Sequence, residues 1–198
     1  MEAVVKKYQQ RFRRARDEMD RWANLQSRLI LQFTSSSSII QRLQVLRDSK
    51  NYGCLNNIGD IKDAVLTKQM ESLQSILLSM KKTLEEFHGV VLRLEKIHRD
   101  GRQMMRGGSS QPSLKQLKQR VGVKPSLADC LDGLMLLHEM HHFEYLLKSS
   151  LVSALSTLIL KPNSCDLSAL QQLLIDQPNI PKEEVQVIFD IIFAEEIS

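Results

Sequence analysis

Apolar residues recur every three or four positions through the first part of the chain. Two interleaved series carry this spacing: Val5, Phe12, Met19 and Phe33, and Tyr8, Ala15, Trp22 and Leu29. An a/d pattern over about four heptads predicts a long amphipathic helix, with Gln26 as the polar exception on its seam. The run from Thr34 to Ser38 predicts a bend or a restart, because serine side chains compete for backbone hydrogen bonds. The turn-forming Asn51-Tyr52-Gly53 predicts the end of this helix.

A second apolar series repeats steps of four and three. Its members are Leu66, Met70, Leu73, Leu77, Met80, Leu84, Phe87, Val91 and Leu94. The series predicts a helix that begins after Asp60 and ends at Gly107-Gly108. Two long helices with a short connection predict an antiparallel hairpin. Because such a hairpin buries only a stripe, we expect a third helix, from this chain or from a partner, to complete the bundle.

The chain beyond residue 125 is also helical in pattern. Ser126 is the predicted N-cap of a third helix, and Asp129 is positioned to complete a capping box with it. This helix is expected to continue to about Leu160. Two shorter helices follow, one over Ser164 to Asp176 and one from Pro181 through the apolar stretch VIFDIIF.

These elements predict an all-α fold, because no segment shows strand-like alternation. The predicted architecture is a long antiparallel coiled-coil-like helical hairpin plus C-terminal helices that form an elongated bundle. The chain then divides into the hairpin at residues 1–106, a flexible basic linker at 107–125, and a C-terminal helical region at 126–198 that packs on the hairpin.

Composition narrows the class of protein. Of 198 residues, 42% are hydrophobic and 25% charged, which is enough for a packed core, and the net charge of +4 is mildly basic. Three widely spaced cysteines without a C-x-x-C pair favour a reducing compartment. The start has no signal-peptide core, and no apolar run is long enough to cross a bilayer. We therefore expect a cytoplasmic or nuclear protein, or one found in both, without a membrane partner.

The sequence HEMHH matches the H-E-x-x-H pattern of zinc proteases. His138 and His142 lie one helical turn apart and could share a zinc ion, with Glu139 as general base. The extended form of the motif, however, needs Gly and His where this chain has Tyr145 and Lys148. We therefore interpret HEMHH as polar residues on an exposed helix face, and keep His138 and His142 as the candidate ligands of the zinc alternative.

No other catalytic pattern is present, so the sequence predicts a protein without enzymatic activity, metal or cofactor. Candidate partner-binding residues fall in two groups. The apolar group in the C-terminal tail is Phe189, Ile192 and Phe193, and the basic group is Arg13, Arg14, Lys115 and Lys118. The tail is either core, which we prefer, or a docking segment. The basic residues either form a solvated face or contact RNA phosphate or an acidic protein.

The third helix carries a family resemblance. The stretch PSLADCLDGLMLLHEMHHFEYLLKSSLVSAL, with Trp22 and SIIQRLQVL upstream, resembles a family of uncharacterised plant proteins over nearly the full chain. It also resembles, more weakly, the animal ribosome maturation factor that works with a AAA+ ATPase. That second likeness rests on Pro125, Ser126, Ala128, Asp129 and the Tyr145-Leu146-Leu147 region.

The resemblance implies a non-enzymatic helical adaptor in late large-subunit (pre-60S) ribosome maturation. Its implied partners are a second small helical protein, described as a cyclin-dependent-kinase-interacting protein, a AAA+ ATPase, and the pre-60S particle. Direct RNA contact is left open. Two alternatives remain: a scaffold linked to the cell cycle or replication that binds kinase-associated factors, and the H-E-x-x-H zinc metalloprotease.

Overall fold

The computed structural model describes residues 2–57, 60–106, 117–120, 122–159 and 163–194. Its α-helices are α1 (Glu2–Arg47), α2 (Ile61–Arg106), α3 (Leu127–Leu158), α4 (Ser164–Asp176) and α5 (Lys182–Ile192). A 3-10 segment, Ser49–Asn57, lies between α1 and α2 and is interrupted at Gly53, whose φ is 51°. The described residues include no β-strand, and the all-α prediction is confirmed.

The serine-rich run does not interrupt α1. The hydroxyls of Thr34, Ser35 and Ser38 each donate to the carbonyl four residues earlier, at 2.9, 2.9 and 3.0 Å. These bonds form inside a continuous helix, so the side chains do not divert the backbone from its own hydrogen bonds. The predicted restart at this run is therefore wrong, and the alternative, a bend, stays a prediction.

The start of α3 is fixed by the predicted capping box. The Ser126 backbone N–H donates to Asp129 Oδ2 at 2.9 Å, and the Asp129 backbone N–H donates to Ser126 Oγ at 3.1 Å. Arg120 also pairs with Asp129, at 2.9 Å. Burial acts to raise the pKa of Asp129, but the hydrogen bonds from Ser126 and Arg120 outweigh it and leave that pKa below its usual value.

The described residues fall into two compact units. Unit 1 takes its residues from Met1–Asn24, Phe87–Tyr145 and Gln177–Ser198, and unit 2 from Leu25–Glu86 and Leu146–Asp176. These units combine segments that are distant in sequence, whereas the predicted division at residues 106 and 125 follows chain order. That division stays a prediction.

In each unit α1 and α2 run antiparallel, as the hairpin requires. In unit 1, Tyr8 Oη donates to the Gly101 carbonyl at 2.8 Å, and Arg93 Nε donates to Glu18 Oε2 at 2.6 Å. In unit 2 the paired side chains are Gln32 with Ser79 at 2.8 Å, and Arg42 with Gln69 at 3.4 Å.

The core of unit 1 depends on close approach at Gly133 of α3. A Cβ there would lie 3.0 Å from Phe12 Cζ and 3.1 Å from Ile188 Cγ2, so these two side chains would have to shift to accommodate a larger residue. Trp22 is buried nearby, with ring centroids 4.5 Å from Phe87 and 4.9 Å from His141. The third helix of this bundle therefore comes from the chain itself.

Unit 2 packs α4 and the last part of α3 with the second half of α1 and the first half of α2. Its fully buried apolar residues include Leu29, Phe33, Leu73, Met80, Leu155 and Leu174. The polar exception on the α1 seam, Gln26, is also buried there, and its Nε2 donates to the Leu174 carbonyl at 2.6 Å. This bond satisfies the amide nitrogen of Gln26, whereas its Oε1 is buried without a hydrogen-bond partner among the described residues.

Candidate functional site

The two histidines of the H-E-x-x-H pattern lie side by side on α3. The His138 and His142 rings are 5.9 Å apart and inclined by 26°, and His98 of α2 lies 6.4 Å from His138 at 24°. All three side chains are half-buried. Spacing on one helix placed the first pair together, but no sequence pattern indicated that His98 joins them from α2.

His98 and His138 border an open groove of about 760 Å³ between α2 and α3. The groove is lined by Glu95, His98, Arg99, Arg102, Gln103, Met135, His138 and Glu139. Two carboxylates and two guanidinium groups make it electrically mixed, and Glu95 pairs with Arg99 at 3.8 Å. Such a surface offers hydrogen-bond donors and acceptors to a docked chain.

The environment of the groove favours neutral histidines. Desolvation lowers the pKa of His98 below its usual value and Arg102 lowers it further, whereas Glu139 and Glu95 oppose the shift. Desolvation also lowers the pKa of His138, with His142 and His98 acting in the same direction and Glu95 and Glu139 against it.

The third histidine of the motif has a structural position. His141 is 1% exposed, and its Nδ1–H donates to the Leu137 carbonyl at 2.6 Å. Its ring meets Trp22 edge to face. Trp22 Nε1 in turn donates to Gln177 Oε1 at 2.8 Å, which joins α3, α1 and the segment before α5.

The described residues provide no complete set of metal ligands at the H-E-x-x-H motif. There, no group of three or more His, Cys, Asp and Glu side chains is arranged to hold a metal ion. The pair His138 and His142 alone supplies two of the ligands that a zinc site needs. Enzymatic activity itself is a separate question, and its predicted absence stays a prediction.

Apolar side chains are exposed beside the groove. On α3, Leu136 is 40% and Phe143 55% exposed, and Met135 at the groove edge is 36% exposed. On α2, Leu92 is 48% exposed and stands three residues before the groove residue Glu95. We call Leu136 and Phe143, which lie seven residues apart on the same side of α3, the apolar patch of unit 1. Sequence reasoning missed it, because α3 buries the polar residues His141, Glu144 and Lys148 while it exposes apolar ones, so polarity did not mark its buried face.

The apolar tail, by contrast, is covered. Phe189, Ile192 and Phe193 are 5%, 1% and 6% exposed, and the Phe189 ring meets Phe12 edge to face at 5.9 Å. Gln9 Nε2 donates to the Ile192 carbonyl at 3.1 Å and so satisfies the end of α5. The structure thus places these three side chains in the core, the preferred of the two interpretations, whereas Val187 and Ile191 of the same stretch are 55% and 36% exposed. Partner binding by Phe189, Ile192 and Phe193 stays a prediction.

The predicted basic residues lie in different places. Arg13 and Arg14 are exposed on α1, and the Arg13 guanidinium lies 5.5 Å from the centre of the Phe193 ring. Lys118 is exposed in the short described segment before α3, and Lys115 lies outside the described residues. Arg13 and Arg14 are consecutive residues on α1, whereas Lys118 belongs to a separate segment of the chain.

Comparison with known proteins adds a family to this geometry. The family model described as ribosome biogenesis protein C1orf109-like matches residues 2–197, almost the whole chain. A search of the curated proteins found no match. None of the described helices combines the length and apolar character needed to cross a membrane. The chain thus belongs to the C1orf109-like family of ribosome biogenesis proteins.

Proposed function

We propose, from membership of this ribosome biogenesis family, that the chain is a non-enzymatic adaptor subunit of a AAA+ ATPase-containing complex. In this proposal it acts in late large-subunit (pre-60S) maturation, in the nucleus, the cytoplasm or both. Its partners are a second small helical protein, the ATPase and the pre-60S particle. No catalytic group, metal or cofactor has a part in it.

The observation that carries the proposal is the apolar patch of unit 1. Phe143 and Leu136 are exposed on the same helix as buried core residues, so burying them requires surface from another molecule. The neighbouring groove supplies arginine and hydrogen-bonding groups around this apolar centre. Apolar centres with polar rims, enriched in aromatic residues, Met and Arg, are typical of protein interfaces.

A helix of the second small helical protein is the occupant that we propose for this patch. An amphipathic helix can lay its apolar face on exposed apolar side chains through residues at i, i+3, i+4 and i+7. The resemblance to a family that pairs with a helical protein supports the same choice. The ATPase and the particle would then be contacted through the assembled pair.

The test is a tagged pull-down from native cells, followed by mass spectrometry. The wild-type chain should recover a second small helical protein and a AAA+ ATPase together with large-subunit assembly factors. Recovery of kinase or replication factors without these proteins would instead favour the scaffold alternative.

A pair of variants locates the contact. Replacing Leu136 and Phe143 with serine should lower recovery of the helical partner by about tenfold, which corresponds to a combined loss of about 1.4 kcal/mol in binding free energy. The matched control replaces Val45 and Leu78, which are 56% and 54% exposed and belong to unit 2. Equal recovery with both variants would remove the apolar patch from the proposal.

A further inference from the structure

The positive charge of the protein is concentrated in one segment of α1. Residues 6–16 contain six basic residues and no acid: Lys6, Lys7, Arg11, Arg13, Arg14 and Arg16. The protein has 27 basic and 23 acidic residues, so without these six the remaining 21 basic residues are outnumbered by the acids. The net charge of +4 therefore resides in this segment.

Four of these cations share one face of the helix. Arg13 follows Lys6 by seven positions, and Arg14 follows Lys7 by seven. This spacing corresponds to two helical turns, or about 10 Å along the axis. All four side chains are exposed, and Asp17 marks the C-terminal limit of the group. We call Lys6, Lys7, Arg13 and Arg14 the basic face.

The opposite face holds this segment firmly in unit 1. Tyr8, Phe12 and Ala15 are fully buried, and the Tyr8 hydroxyl donates to the Gly101 carbonyl. The Arg16 guanidinium lies 4.6 Å from the centre of the Phe189 ring, and that contact occupies the side of α1 next to α5. The basic face is thus carried on a packed helix, which fixes the backbone positions of its four cations while their exposed side chains can reach a ligand.

We infer that the basic face of α1 binds the phosphate backbone of RNA directly. For a ribosome biogenesis protein the expected polyanion is ribosomal RNA. Four cations spaced along one helix can contact its phosphates without recognising the base sequence. Neutralising phosphates releases condensed counterions, so the affinity should fall with salt at a slope of about 0.7–0.9 per contact. Four contacts predict a slope near −3 in log K against log salt.

The inference is tested on the purified chain with a fluorescently labelled RNA duplex of about 20 base pairs, at salt between roughly 50 and 200 mM. Replacing Lys6, Lys7, Arg13 and Arg14 with glutamine should weaken binding at least tenfold at the lowest salt and bring the slope close to zero. Glutamine suits a helix as well as lysine and arginine do, so the fold should be kept.

A control of equal charge separates location from total charge. Lys68, Lys81, Lys82 and Lys96 are exposed on α2, and replacing these four with glutamine removes the same charge. This variant should keep the slope of the wild type. Equal losses in the two variants, or no loss in either, would overturn the inference.

Two further measurements distinguish charge from damage and RNA from an acidic protein. Exchanging Lys6 and Lys7 for arginine, and Arg13 and Arg14 for lysine, preserves charge and should preserve binding; its loss would contradict a phosphate contact. Polyglutamate added at equal charge should displace the RNA poorly. Displacement as efficient as by unlabelled RNA would assign the face to an acidic protein instead. None of these measurements involves the helical partner, so their failure is separate from failure of the adaptor proposal.

Discussion

Helices α3 and α5 are both rich in apolar residues, yet their phenylalanine side chains are exposed to different extents. At the end of α5, Phe189 and Ile192 are 5% and 1% exposed, because the helix is short and packs its apolar side on Phe12. On α3, Phe143 is 55% exposed even though Leu137, six residues earlier, is fully buried. The comparison teaches that apolar density in a sequence does not say which apolar residues remain available to a partner.

The largest effect on stability is expected at the buried residue of this comparison, Phe189. Replacing Phe189 with alanine should lower the free energy of unfolding by about 3–5 kcal/mol, because it leaves a cavity beside Phe12 and Phe193. Urea denaturation followed by circular dichroism measures the change. The matched control is Val187→Ala, at a position 55% exposed on the same helix, which should change stability by less than about 0.5 kcal/mol. Similar small losses in both variants would mean that the tail is not core.

The next effect tests how the segment before α5 is held on α3. Glu144 is fully buried, and its Oε2 accepts from the Asn179 backbone N–H at 3.2 Å and from Asn179 Nδ2 at 3.1 Å. Glu144→Ala should cost about 1–3 kcal/mol of unfolding free energy, because it leaves these donors without their acceptor. Glu144→Gln keeps an acceptor oxygen and should lose less. A loss in urea denaturation no larger for alanine than for glutamine would argue against this role.

Much of the helical fold could be predicted from local patterns. The 4–3 spacing located α1 and α2, and the Ser126–Asp129 pair located the start of α3 and was found hydrogen-bonded in both directions. These signals act within a few residues of one another, so they survive without knowledge of the tertiary structure. The restart predicted at the serine-rich run was wrong, because side chains of this run donate to carbonyls of their own helix, as Thr34 does to Ile30.

The candidate site was much less predictable. The groove and the apolar patch depend on which side of α3 packs against other helices. That side cannot be identified from polarity, because α3 buries Glu144 and Lys148 and exposes Phe143. The approach of His98 to His138 likewise depends on the register between α2 and α3. The sequence does contain one usable signal, the position of Glu144 between Phe143 and Tyr145. An acid that is buried among such residues, as Glu144 is, needs a hydrogen-bond donor from elsewhere in the chain.

A smaller effect concerns pH and the histidines beside the apolar patch. The folded-state pKa values of His98 and His138 are lowered, so the unfolded chain binds more protons just below the usual value of about 6.5. Their contribution to stability is complete above that value and is lost as the pH falls through the lowered pKa. Because both side chains are partly solvated, the loss should be below about 1 kcal/mol per histidine.

Denaturation at a series of pH values measures this contribution. A variant with glutamine at both His98 and His138 should show a flatter dependence of unfolding free energy on pH below about 6.5. Gln103 lines the same groove and does not titrate, so Gln103→Ala should keep the dependence of the wild type. A double variant as sensitive to pH as the wild type would show that the groove histidines do not contribute.

The smallest expected effect completes the comparison from the exposed side. Replacing Leu136 and Phe143 with serine should change the free energy of unfolding by no more than about 0.5 kcal/mol per site, because both side chains already contact water in the folded chain. Urea denaturation under the conditions used for Phe189→Ala makes the two results directly comparable. A loss of several kcal/mol would mean that these residues stabilise the fold, and any loss of partner recovery would then reflect unfolding. A small change together with weakened recovery would separate availability from apolar density, since only the uncovered residues would act on the partner.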